Sequence, residues 1–214
     1  MTFSLSPTNS SIFPLIAESA KTWVVCWKED ADKKLSVAKT QVRTEKKAPV
    51  THLVVGKVSQ PEKEPLVVHG ESEITETVGK VNKVWLEPED VLAYPPTIQA
   101  ILNADLVLIG PGSLYTSILP NLLVKDLTEA IQASRAETYY ICNVATQRGE
   151  TDGFNASDHV AVLEQHIQKH IFSLVLCNRN FKGELGHDTD WVVADQQLHE
   201  KYRVYESDLV DDLY

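Results

Sequence analysis

Leu106-Val107-Leu108-Ile109-Gly110-Pro111-Gly112-Ser113-Leu114-Tyr115-Thr116-Ser117 begins with four apolar residues and then breaks into two glycines around a proline. A short apolar run stopped by turn residues marks a strand buried on both faces, as a parallel sheet requires. The blocks downstream repeat the theme. Residues 124–134 have helical periodicity, Tyr139 to Val144 is a second apolar run, and Ser173 to Cys177 is a third. Between the last two, Ser157 to His170 reads as a helix, with Val160, Leu163, Ile167 and Ile171 along one face. Upstream, Pro95-Pro96 starts a helix that Asn103 closes. A last short strand is expected at Arg203 to Tyr205. This alternation predicts an α/β fold with a Rossmann-like, doubly wound, mainly parallel sheet.

Further toward the N-terminus the pattern is less regular. An apolar run from Thr22 to Trp27 predicts one strand near Trp23 to Trp27, and a charged stretch from Lys28 to Lys47 follows. Leu53 to Val55, Leu66 to His69 and Val81 to Leu86 are short and β-branched, separated by proline, glycine and charge. They predict three short, mainly antiparallel strands, an elaboration on the edge of the larger sheet. We therefore divide the chain into an irregular, β-containing region, 1–65, and the α/β region that follows it, 66–214.

The 214 residues suffice for a substantial core without disulfides or metals. With 43% apolar and 23% charged residues, the chain falls outside the disordered, collagen-like and membrane classes. A net charge of −10 and the absence of a long basic run argue against nucleic acid as a partner. No signal-like segment or membrane-length apolar run is present, so a cytoplasmic location and no membrane partner are expected. Cys26, Cys142 and Cys177, odd in number and set in apolar runs, read as buried free thiols of a reducing compartment.

Open parallel sheets bind ligands beyond the carboxyl ends of their strands. Two loops fall there. In the first, Gly110 and Gly112 allow close backbone approach, while Ser113, Thr116 and Ser117 add hydroxyls near a helix start, a combination suited to a phosphate or diphosphate. Tyr115 stands where a dinucleotide fingerprint has its third glycine, and no Gly-Lys-Ser/Thr follows, so a tight packing turn is the competing reading. The second loop runs from Cys142 to Gly153. It gathers Asn143, Thr146, Gln147, Arg148, Glu150, Thr151 and Asp152, hydrogen-bonding capacity suited to a base, ribose or sugar. Its alternative is structural, with Asn143 and Thr146 shaping the turn and Asn155 with Asp158 capping the next helix. His159, His166 and His170 form a stripe on that helix. His166 and His170 have the spacing of a metal pair, but a partly exposed face is the plainer reading, with His159 near enough to the second loop to touch a ligand. The four tryptophans are dispersed and read as packing.

The stretch from Ala104 to Val124, with its Gly-Pro-Gly-Ser-Leu-Tyr-Thr-Ser block, resembles the signature of the bacterial gluconeogenesis factor proteins, which are related to 2-phospho-L-lactate transferase of deazaflavin cofactor synthesis. Gly70-Glu71-Ser72, Pro95-Pro96, Cys142-Asn143-Val144, Thr146-Gln147, Gly149-Glu150-Thr151 and Asp158-His159-Val160 match the family in order, over roughly residues 66 to 172. The family's glycine-rich loop after its first strand and its Asp-Asp-Gly-Gly segment do not occur, and Arg148 stands where the family commonly has proline.

The resemblance implies a Rossmann-like domain holding a nucleotide-linked ligand: a uridine-diphosphate sugar in the regulators, a deazaflavin with an activated phospholactate and magnesium in the transferase. It implies ligand-binding roles for Gly110, Gly112, Ser113, Leu114, Tyr115, Thr116, Ser117, Asn143, Thr146, Gln147, Glu150 and Thr151. No residue is assigned as catalytic or metal-ligating, and magnesium enters only if the chain is transferase-like. The expected function is that of a nucleotide-sugar-binding regulator of carbon metabolism, cell envelope and cell shape, in truncated or split form. A phospholactyl transferase and a non-functional remnant are the alternatives. A second copy of the chain, or a separate chain supplying the missing segment, would be the protein partner.

Overall fold

The computed structural model describes residues 24–29, 35–38, 53–60 and 64–210. In chain order the strands are β1 (Val24–Glu29), β2 (Leu35–Ala38), β3 (Leu53–Ser59), β4 (Leu66–His69) and β5 (Lys80–Glu87), then β6 (Leu106–Ile109), β7 (Glu137–Ile141), β8 (Leu174–Asn178) and β9 (Val204–Ser207). The helices are α1 (Glu71–Glu76), α2 (Pro95–Leu102), α3 (Leu119–Leu122), α4 (Lys125–Ala133), α5 (Ala156–Ile167) and α6 (Gln196–Lys201), with a π-helical turn at Leu114–Ile118 leading into α3. β2, α1 and α6 were not expected. The first lies in a charged stretch, and the other two are six-residue helices too short to establish a period.

The main sheet has the order β2-β1-β6-β7-β8-β9. β6 to β9 are parallel neighbours, and β1 joins β6 antiparallel with Val24 opposite Ile109. Every crossover from β6 to β9 therefore steps the same way, and right-handed connections then place the intervening helices on one face. Packing agrees: Val107, Ile109, Tyr140, Cys142, Val175 and Cys177 share one core with Ile101, Leu127, Ile131, Val160, Leu163 and Leu198 of the helices. The alternate residues Leu108 and Ile141 form a separate cluster with Leu106, Tyr139 and Leu176. The two thiols among the described residues, Cys142 and Cys177, are free and buried, while the side chain of Cys26 lies outside them.

The three β-branched segments expected on the edge of this sheet instead make a second sheet, β4-β3-β5, fully antiparallel and drawn from both sides of residue 65. One of its faces, with Val54, Val58, Val68, Val81, Val84 and Leu86, packs into the main core together with Ile74 of α1. Gly56 makes room for that helix, since a Cβ there would lie 2.9 Å from Ile74 Cγ1. The small sheet thus leans on the helical layer through its apolar face, a stronger driving force than extending a hydrogen-bonded edge.

Candidate functional site

β6 and β7 end side by side, and the two expected loops leave from their carboxyl ends. At the first, Gly110 has φ +84°, and a Cβ there would stand 2.6 Å from the Ile141 carbonyl oxygen. Only glycine fits that junction. Asn143, just past β7, then reaches across with its whole amide. Its Oδ1 accepts from Gly112 N–H at 3.1 Å, and its Nδ2 donates to the Gly112 carbonyl at 2.9 Å. Thr116 and Tyr115 turn inward. Glu150 of the second loop accepts from Tyr115 N–H at 3.3 Å and from the Thr116 hydroxyl at 3.1 Å, and Gln147 Nε2 donates to the same carboxylate at 3.3 Å.

Between these fixed points lie Ser113 and Leu114. Ser113 is half-buried, its carbonyl accepts from Ser117 and Ile118 N–H, and neither its hydroxyl nor the Leu114 N–H has a partner among the described residues. Ser117 is likewise half-buried, and its carbonyl accepts from Asn121 Nδ2 at 2.8 Å. Leu114, Tyr115 and Thr116 are buried.

The second loop is held from its far side by a segment that the sequence offered no reason to select. Thr146 N–H donates to the Asp190 carbonyl and its hydroxyl accepts from Asp190 N–H, both at 2.8 Å. Val192 N–H donates to the Val144 carbonyl, and Ala145 bridges Trp191. Within the loop, Gln147 N–H donates to the Thr151 hydroxyl at 2.8 Å. Thr146, Glu150 and Thr151 are consequently buried, and the amides and hydroxyls gathered here bond to protein. The capping alternative is realised too: Asn155 and Asp158 form a reciprocal capping box at the start of α5. Arg148 is exposed and pairs with Asp188 at 3.1 Å.

Burial pushes the Glu150 carboxyl above the ordinary carboxylate range, partly countered by the Tyr115 and Thr116 donors and reinforced by the Glu71 carboxylate. Tyr115 is pushed up to about 12 by burial and by Glu150.

The histidine stripe divides. His159 is fully buried, its Nδ1 donates to the Asn155 carbonyl at 2.9 Å, its ring meets Phe154 edge-on at 5.5 Å, and Nε2 has no partner among the described residues. His166 is half-buried: Nδ1 donates to the Val162 carbonyl at 2.7 Å and Nε2 accepts from Val84 N–H of β5 at 3.2 Å, tying α5 to the small sheet. Only His170 is exposed, and its Nδ1 contacts Glu164 at 2.8 Å. His166 and His170 thus turn to different partners, and the stripe expected on a partly exposed face runs from a buried through a half-buried to an exposed position.

Magnesium, implied only if the chain is transferase-like, would need a set of carboxylate donors at these loops. The loop acids are Glu150, enclosed by three donors, and Asp152, which accepts from Gly149 N–H. Among the described residues no group of three or more His, Cys, Asp or Glu side chains is placed to hold a metal ion. These residues do not fit the cation.

Residues 8–210 match the family model of 2-phospho-L-lactate transferase CofD. The chain belongs to this family. The CofD match takes in most of the region before residue 65, ahead of the recognisable signature. Among relatives, the Gluconeogenesis factor of Listeria innocua is 50% identical over 112 residues, covering 52% of this chain and 35% of that protein. The Gluconeogenesis factor of Bacillus subtilis is 49% identical with the same coverage. The chain thus spans about a third of the length of these curated relatives. The crystal structure of a UPF0052 family member from Bacillus halodurans superposes with a TM-score of 0.65 at 34% identity, over 73% of this chain and 52% of that one. No helix among the described residues is long and apolar enough to cross a membrane.

Proposed function

We propose that the chain is a nucleotide-sugar-binding regulatory protein of the gluconeogenesis factor type, which receives the diphosphate of a uridine-diphosphate sugar at the turn Gly110 to Ser117. The observation that carries this reading is the pinning of Gly112 and Tyr115 on either side of Ser113 and Leu114. The half-buried Ser113 hydroxyl between the pins has no partner among the described residues and, at the carboxyl end of an inner parallel strand, is a donor suited to a phosphoryl oxygen. Relatives named Gluconeogenesis factor at 49–50% identity over 112 residues support it. Asn143, Thr146, Gln147, Glu150 and Thr151 then support the turn from within, and Gly110, Tyr115 and Thr116 set its path. A role in carbon metabolism, cell envelope and cell shape would follow from such binding, in the cytoplasm.

A second reading, a phospholactyl transferase, is favoured by the family match. Calorimetric titration with uridine-diphosphate N-acetylglucosamine separates the two. Wild-type protein is expected to bind, and Ser113→Ala to bind about tenfold more weakly, the effect of one lost hydrogen bond to a charged group. Magnesium-dependent product formation in a phospholactate transfer assay would overturn the regulatory reading. Neither binding nor turnover would leave a remnant, or a chain that needs a second copy or another chain to complete its crevice.

A further inference from the structure

Glu150 is 1% exposed, yet donors from two loops converge on its carboxylate. Tyr115 and Thr116 lie 35 and 34 residues away in sequence, and Gln147 lies three. An enclosed carboxylate is costly unless its lone pairs are used, and here one oxygen takes the Tyr115 N–H while the other takes the Thr116 hydroxyl and the Gln147 amide. An apolar side chain of the same size would fill this space without the desolvation penalty. What a carboxylate adds is acceptance of a peptide N–H and a hydroxyl from one rigid planar group. The Tyr115 N–H belongs to the first turn of a helical segment, where peptide donors have no acceptor within the helix. With that donor spent on Glu150 and Leu114 buried, the half-buried Ser113 at the start of the turn keeps a hydroxyl that has no partner among the described residues. Asn143 fixes the preceding residue, Gly112, by both of its backbone polar groups.

We propose that Glu150 is a positioning residue and not a ligand contact: it fixes the Tyr115 peptide and the Thr116 hydroxyl, so that Ser113, held from the other side through Asn143 and Gly112, faces the bound phosphoryl group. Its effect on affinity rests on the ligand reading above, whereas its effect on the turn does not. Two measurements therefore decide it separately. The first is amide exchange in the ligand-free protein, followed residue by residue by NMR. Tyr115 N–H is expected to lose at least about tenfold in protection in Glu150→Ala, with the Val175 amide of β8 unchanged. Glu150→Gln is expected to lose less, since one carbonyl oxygen still serves Tyr115. It carries the test if the alanine variant does not fold. Unchanged protection at Tyr115, or an equal loss at Val175, overturns the proposal.

The second is calorimetry with uridine-diphosphate N-acetylglucosamine. Glu150→Gln is expected to raise Kd about tenfold at a temperature well below a melting point close to that of the wild type. An unchanged Kd overturns the positioning role. Failure of wild-type protein to bind overturns the ligand reading instead, and exchange at Tyr115 still decides what Glu150 does.

Discussion

The two crevice loops leave neighbouring strands and do opposite work. The loop after β6 has its path dictated by the backbone: a positive φ at Gly110 against the Ile141 carbonyl, a peptide at Gly112 held on both sides, and a π-helical turn. The loop after β7 is dictated by side chains, and nearly all of them point at protein. Asn143, Thr146, Gln147, Glu150 and Thr151 each bond to a backbone group or to each other. The loop with the denser polar sequence is thus the frame, and the sparser loop is the surface it holds. Polar density alone does not locate a ligand, because a buried turn also needs partners for its backbone.

Gly110→Ala should disturb this contrast most. The added methyl meets the Ile141 carbonyl and the residue must keep a positive φ, so a loss of about 3 kcal/mol in unfolding free energy is expected by chemical denaturation. A loss below about 1 kcal/mol would mean that the first loop's path is not fixed by its backbone. Asn143→Asp comes next. The carboxylate keeps the bond from Gly112 N–H, loses the one to the Gly112 carbonyl and sets charge against it, for an expected loss of about 1–2 kcal/mol.

The smallest effect concerns pH. Burial lowers the affinity of His159 and His166 for a proton, the Asn155 and Val162 carbonyls partly opposing this. Both groups bind a proton more readily when unfolded. Their stabilising contribution is therefore complete above the ordinary histidine range and is lost as the pH falls below about 6.5 and through the lower folded values. Melting curves between pH 7.5 and 5 should show that decline, with a slope no steeper than about 1.4 kcal/mol per pH unit for each histidine. His159→Leu with His166→Gln should flatten it. A wild-type curve already flat over that interval would show that the buried rings do not report on the packing beneath the second loop.

Much of this was legible from residue order. The apolar run at Leu106 to Ile109 is β6 to the residue, and the helical faces of α2, α4 and α5 lie where periodicity put them, because burial on one side imposes a regular pattern. The small sheet was legible as strands but not as a separate layer, since Val54, Val68 and Val84 reveal that they are buried but not against what. In the site, Gly110 and the loop positions could be read from turn chemistry. The direction of each side chain could not. Thr116 and Ser117 are adjacent hydroxyl residues, one buried on Glu150 and the other half-exposed, and that choice depends on a carboxylate 34 residues away. Asp190 and Trp191 gave no signal, because their contacts to Thr146 and Ala145 are made by backbone groups that every residue has.

The stitch between Thr146 and Asp190 also imposes an order of events during synthesis. These residues are 44 apart, and β8 lies between them. A nascent chain that has emerged only through β8 has every residue of both crevice loops outside the ribosome. It still lacks the acceptor for Thr146 N–H and the donor to its hydroxyl. Chains emerge on the order of 5–20 residues per second, so the second loop waits a second or more for the segment that completes it. During that interval the polar groups of the crevice are open to water and to other proteins, and a chaperone that recognises nascent chains would find the site unfinished while β6, β7 and β8 beneath it have already emerged.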